Sequence, residues 1–201
     1  INVLYSPTSD ESVYKTATIY FYADGLLWTF TGALGTASLE LTTGGIGHQL
    51  ITPYFNAQNG NATIISLVNT DTTSGKVVKV RFRGASNSDD ILDFTVLMSP
   101  GDVWNATVSA PTATAPAQIV TNDRSCTLPQ LSPGVAQQFV TARLTTKSGN
   151  DLNNNTREGY VEIFNMADIR PGSALFNTVK HTAGVPACTQ STINSAILDQ
   201  N

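Results

Sequence analysis

The stretch Lys76-Val77-Val78-Lys79-Val80-Arg81-Phe82-Arg83 decides how this chain is read. Val78, Val80 and Phe82 fall on one side of an extended backbone, and Lys79, Arg81 and Arg83 on the other. That period of two predicts a strand with one buried and one solvated face, as in antiparallel sheets. The pattern repeats outward from it. A polar loop over 84–90 leads to Ile91 to Met98 (ILDFTVLM), then the Ser99-Pro100-Gly101-Asp102 turn and Val103 to Val108. Upstream lie His48 to Phe55 and Ala62 to Asn69, separated by the turn Gln58-Asn59-Gly60-Asn61. Short β-forming runs at this spacing, punctuated by turn residues, predict an all-β protein: an antiparallel β-sandwich, Greek-key or jelly-roll-like.

Toward the C-terminus, Gln118 to Thr121, Gln138 to Thr145 and Tyr160 to Phe164 read as further strands. Thr189 to Asp199 carries Ile193, Ile197 and Leu198 at helical spacing and reads as a short C-terminal helix. Ala110 to Ala117 (APTATAPA) is a linker or an edge segment, because proline cannot donate to a ladder. Toward the N-terminus, Lys15 to Ala23 (KTATIYFYA) and Leu26 to Thr31 flank Asp24-Gly25, a strong hairpin signal. Ser38 to Thr43 reads as a further short strand. The organisation expected is therefore an N-terminal hairpin extension over 1–43 and the main sandwich strands over 44–110. Residues 111–201 supply either the remaining strands of that sandwich or a small β subdomain holding the cysteines.

The chain has 201 residues, 41% of them hydrophobic and 13% charged, with a formal net charge of -4. The apolar share suffices for a real core. A low-charge acidic chain lacks the basic footprint of a nucleic-acid binder, and no run of 18 apolar residues predicts a membrane-spanning helix. Thr (27) and Asn (16) outnumber Lys plus Arg (11), giving a polar surface without strong fields, a pattern frequent in exported surface and fibre proteins. The chain opens on Ile1, which reads as a processed chain. Leu26 to Ser38 has an apolar run ending in small residues but no basic flank, and reads as folded strand rather than signal.

A string of short motifs runs through the middle: Gly45-Ile46-Gly47-His48, Pro53-Tyr54-Phe55, Asn59-Gly60-Asn61-Ala62-Thr63, Val68-Asn69-Thr70, Lys79-Val80-Arg81-Phe82, Asn87-Ser88, Leu92-Asp93-Phe94 and Leu97 through Trp104. Thr121 through Cys126 and Thr156 through Ile163 follow. In this order they resemble a little-characterised group of exported bacterial surface-associated β-rich proteins, over about 44–188. In that group the Gly-Ile-Gly-His block lies near the mature N-terminus, whereas 43 residues precede it here. The resemblance implies export and a cell-surface location, and carries over no catalytic residue.

Cys126 and Cys188 are the two cysteines. As a disulfide they would close a loop of about 63 residues, constrain the unfolded chain by roughly 4 kcal/mol and place the protein in an oxidising compartment; the alternative is two unrelated thiols. Lys79, Arg81 and Arg83, with Trp104 and other aromatics as a stacking platform, form a candidate face for an anionic polysaccharide. The alternatives are pairing with Asp89, Asp90 or Asp93 on the neighbouring strand and burial of the aromatics in the core. Asp151, Asn153, Asn155 and Glu162 match the opening and twelfth positions of a calcium loop, with Thr156 where that loop wants Gly; an Asn-rich turn explains them equally. Asn61, Asn105 and Asn154 each open a glycosylation triplet. His48 and His181 are the only imidazoles, and neither sits in a nucleophile motif. Paired carboxylates could still make a glycosidase.

The reading adopted is a non-enzymatic, exported structural protein without a cofactor, assembling with copies of itself into an extracellular filament or surface layer. Its candidate inter-subunit strand is the N-terminal hairpin, with Ile19, Phe21, Leu27 and Trp28 filling apolar pockets of a neighbour. The same hairpin could instead complete its own sandwich. A carbohydrate-binding or adhesion module is the alternative function.

Overall fold

The computed structural model describes residues 4–5, 15–23, 26–34, 45–144 and 152–198, the first three segments as backbone. The chain divides into two compact units, 1–44 and 45–201.

The described residues of the first unit form one antiparallel sheet in the order β1 (Leu4–Tyr5), β2 (Lys15–Ala23), β3 (Leu26–Leu34). Ala23 pairs with Leu26, so Asp24-Gly25 alone joins the two long strands. The expected strand over Ser38 to Thr43 lies outside the described residues.

The second unit is an antiparallel β-sandwich. Its strands are β4 (Gln49–Asn56), β5 (Thr63–Val68), β6 (Gly75–Gly84), β7 (Asp90–Met98), β8 (Val103–Ser109), β9 (Gln118–Val120), β10 (Cys126–Leu128), β11 (Gln137–Gln138) and β12 (Glu158–Ile169). One sheet runs β10–β7–β6–β12–β4 and the other β11–β9–β8–β5. In the order β10–β7–β6–β12–β4 the late strand β12 lies between β6 and β4. The strands beyond Ala110 thus join the same two sheets as those before it.

Alternation explains the core. Val78, Val80 and Phe82 of β6 are buried, while Lys79, Arg81 and Arg83 are only half-buried. Phe55, Phe82 and Phe94 of the larger sheet meet Trp104, Ile65, Leu67 and Ile119 of the smaller one. Phe82 stands 5.4 Å from Phe55 and 5.0 Å from Phe139, and Phe94 stands 5.4 Å from Trp104. The alternation breaks at Val96-Leu97-Met98, all buried, because both faces of the sheet are covered there. Leu97 belongs to a second apolar cluster with Cys126, Ile169, Leu175, Val179, Ile193 and Ala196. This cluster seats two short helices, α1 (Ala174–Val179) and α2 (Gln190–Leu198), against the larger sheet.

Several elements differ from the sequence reading. β12 runs on to Ile169 rather than ending at Phe164, and the strand expected over Gln138 to Thr145 is reduced to Gln137–Gln138. β10 and α1 have no counterpart in that reading. Ala110 to Ala117 is neither strand nor free linker. The buried Arg157 donates from Nε and Nη2 to the Ala115 carbonyl, at 2.9 and 2.6 Å, and Thr156 Oγ1 accepts from the Ala117 N–H at 2.8 Å. These bonds staple the crossover to the start of β12.

Candidate functional site

The two outer faces of the sandwich differ in chemistry. On the larger sheet, register places Arg81 beside Asp93 and Glu162, and Arg83 beside Asp90. Lys79 pairs with Asp93 and Arg81 with Asp90; Arg83 reaches Asp90 at 3.3 Å and Glu162 at 2.9 Å. Arg143 adds a further contact to Asp90. The basic stripe expected to hold an anionic polysaccharide is therefore neutralised across strands by Asp90, Asp93 and Glu162. Asp89 instead accepts from the Asp90 N–H.

At the far end of β6, Lys76 bridges Asp71 at 3.0 Å and Asp168 at 2.7 Å. Burial acts to lower the Lys76 pKa, but its hydrogen bonds to Asp168 and Asp71 outweigh it and the pKa rises. The Ser74 and Thr73 N–H groups, with Lys76, hold the Asp71 carboxyl down at about 2. Arg83 follows the same logic as Lys76: burial opposes its charge, and Glu162 overcomes it. Each such cation is committed to the fold.

Trp104 corrects the stacking-platform expectation. It is fully buried against Phe94, on the inner face of β8 with Ala106 and Val108. The alternation of Val103 to Val108 already carries that signal: an aromatic at every second position with Ala and Val faces the core.

The calcium set does not converge. Asp151 lies outside the described residues. Asn153 donates its side-chain amide to the Thr114 carbonyl, Asn155 sits in the turn Asn154–Thr156, and Glu162 is held by Arg83 on β12. Among the described residues no three His, Cys, Asp or Glu side chains gather.

Sequence reasoning missed one cluster. Ser99 Oγ lies 3.1 Å from His181 Nδ1, and the Asp102 carboxylate lies 3.8 Å from that same nitrogen. Ser125 Oγ also donates to Asp102. A nucleophile relay needs serine and carboxylate on opposite imidazole nitrogens. Here both address one nitrogen and Ser99 is buried, so the cluster ties the β7–β8 turn to the segment after α1. His48 is exposed, and its carbonyl accepts from the Asn165 N–H.

The smaller sheet is the opposite case. None of β5, β8, β9 and β11 contains a charged residue. Register aligns Ile64 with Thr107, Ser66 with Asn105 and Val68 with Val103 on its outer face. Ile64 is 75% exposed and Val68 50%. Among the described residues nothing pairs with the outer edges of β4 and β5. The other two end strands, β10 and β11, are three- and two-residue stubs.

The hairpin's faces follow from its register. Ile19 pairs with Phe30, Phe21 with Trp28 and Ala17 with Gly32, so one face gathers Ala17, Ile19, Phe21, Trp28 and Phe30. Leu27 pairs with Tyr22 and shares the opposite face with Thr16, Thr18 and Tyr20.

No protein-family model, curated protein or solved structure matches the chain. Function has to be argued from these features. Cys126 and Cys188 form a disulfide, which fits an oxidising compartment, and no described helix is long and apolar enough to cross a membrane.

Proposed function

We propose that this protein is an exported structural subunit, assembling with copies of itself into an extracellular filament or cell-surface layer by β-strand addition. The observation that carries this reading is the N-terminal unit. Its described strands form a single layer with one apolar face. One layer cannot bury such a face against itself, and a hairpin of this size is marginal alone in water. The described strands of the unit supply no second layer for the face that carries Ile19, Phe21, Trp28 and Phe30. Among the described residues the outer edges of β4 and β5 have no ladder partner, and edges of this kind accept added strands. Donation from each subunit to the next is head-to-tail, and such contacts propagate wherever their rotation does not close a ring. The polysaccharide alternative keeps neither an exposed Trp104 nor an unpaired cation in the Lys79–Arg83 stripe.

Sedimentation and negative-stain imaging of the full chain and of a chain lacking residues 1–44 test the reading. The full chain should form polymers and the shortened one should sediment as a monomer. Polymers of the shortened chain, or a full chain monomeric at every concentration, would defeat it.

A further inference from the structure

Resting on that reading, we infer that the acceptor is the free edge of β5, and that the hairpin of a second copy of this chain occupies it. The two open edges are not equivalent. β4 carries Pro53, which has no N–H to donate, and its pairing with β12 is interrupted there: Gly159 faces Phe55 and Val161 faces Thr52, leaving two β4 residues opposite one. Proline and a bulge are the devices by which natural sheets blunt an edge. The Asn56 end of β4 is closed further, since Thr63 Oγ1 bonds both its N–H and its carbonyl. β5 (TIISLV) has no proline and no charge, and its register with β8 runs unbroken from Thr63 to Val68. It is a regular, β-branched edge with no ladder partner among the described residues.

The hairpin fits this edge in chemistry and length. Lys15 is the only charged residue in β2 and β3, each nine residues long against six in β5. Adding either strand beside β5 continues both faces of the smaller sheet. The Thr- and Tyr-bearing positions of the hairpin fall in line with Ser66, Asn105 and Thr107. The positions of Ile19, Phe21, Trp28 and Phe30 fall in line with Ile65 and Leu67, the last core residues before the edge. Residues 16–23 of β2, or the whole of β3, meet this uncharged edge with no ion to desolvate, and the main-chain ladder supplies the affinity.

Full-length variants separate the possibilities. The double variant Ile64→Lys/Val68→Lys places charges at exposed positions of β5, and Ile51→Lys does the same on β4. We expect wild type and Ile51→Lys to polymerise, and the β5 variant to remain monomeric with an unchanged thermal melt. In parallel, chains carrying Ser66→Cys are mixed with chains carrying Thr18→Cys or Thr29→Cys, oxidised, and mapped by mass spectrometry. Cross-links joining two different chains are expected. Polymerisation of the β5 variant alongside failure of Ile51→Lys would overturn the β5 assignment while leaving strand donation intact. A Ser66–Thr18 or Ser66–Thr29 link found only within one chain would mean the hairpin serves its own sandwich. A wild-type chain that never polymerises would overturn the functional reading itself.

Discussion

Reducing the Cys126–Cys188 disulfide removes a constraint whose size follows from its placement. The two residues are separated by 62 positions in the chain, and the chain-entropy relation for such a loop gives about 4 kcal/mol at 25 °C. The bond joins β10 to the segment leading into α2. That segment has no partner in either sheet and is held by the apolar cluster around Leu97, Ile169, Leu175, Val179 and Ile193. Comparing oxidised with reduced wild type isolates the cross-link, because no side chain is replaced. Urea unfolding followed by far-ultraviolet circular dichroism should show the reduced protein about 4 kcal/mol less stable. A melt should shift down by roughly 8–16 °C for a domain of this size. Hydrogen exchange in the reduced protein should accelerate first in α1, α2 and β10, while β6 keeps its protection. Coincident oxidised and reduced unfolding curves would refute the argument, because the cluster would then hold the C-terminal segment without covalent help.

Three further outcomes are expected. Gly159→Ala would place a Cβ 1.8 Å from the Arg83 carbonyl oxygen and 3.0 Å from the Phe55 ring; with strands on both sides, the melt should show a loss at or above the top of the usual overpacking range of about 1–3 kcal/mol. A loss well under 1 kcal/mol would show that β12 yields. The buried Asn69 donates to the Ser74 and Ser99 carbonyls and accepts from the Asp71 N–H, so Asn69→Ala should cost about 2–4 kcal/mol in urea unfolding, whereas Asn87→Ala on the exposed loop serves as a near-neutral control. Asp71 has a folded pKa of about 2 against an ordinary 3.8, so its stabilisation is present above 3.8 and disappears as pH falls toward 2. Asp71→Asn should lower stability at neutral pH and flatten the loss across that window; identical slopes for variant and wild type would count against the assignment.

The sandwich was legible wherever alternation is long. β6 and β7 declare themselves through Val78, Val80, Phe82 and Phe94, and α2 through Ile193. What escaped was short or set by tertiary context. β10 has three residues and is a strand only because β7 lies beside it. α1 has six, too few for a helical period, although Ser173 caps it by accepting from the Phe176 N–H, a start signal the sequence does carry. Alternation alone puts Lys79, Arg81 and Arg83 on the outer face, but which acids silence them depends on the register of β6 with β7 and β12. Trp104 was readable from its own strand. The staple from Arg157 to Ala115 was not, because nothing local distinguishes a buried arginine held by a carbonyl from a solvated one.

The position of β12 also governs when this molecule can become itself. Among the described residues β4 has β12 as its one ladder partner, with Asn56 waiting for Glu158. A polypeptide emerging N-terminus first would hold residues 49–56 without that partner until residues 158–164 had followed. Pairings this distant close late and slowly. Neighbours such as β6 and β7 can meet long before that, so the inner edge of β4 is among the last in the sandwich to find its ladder.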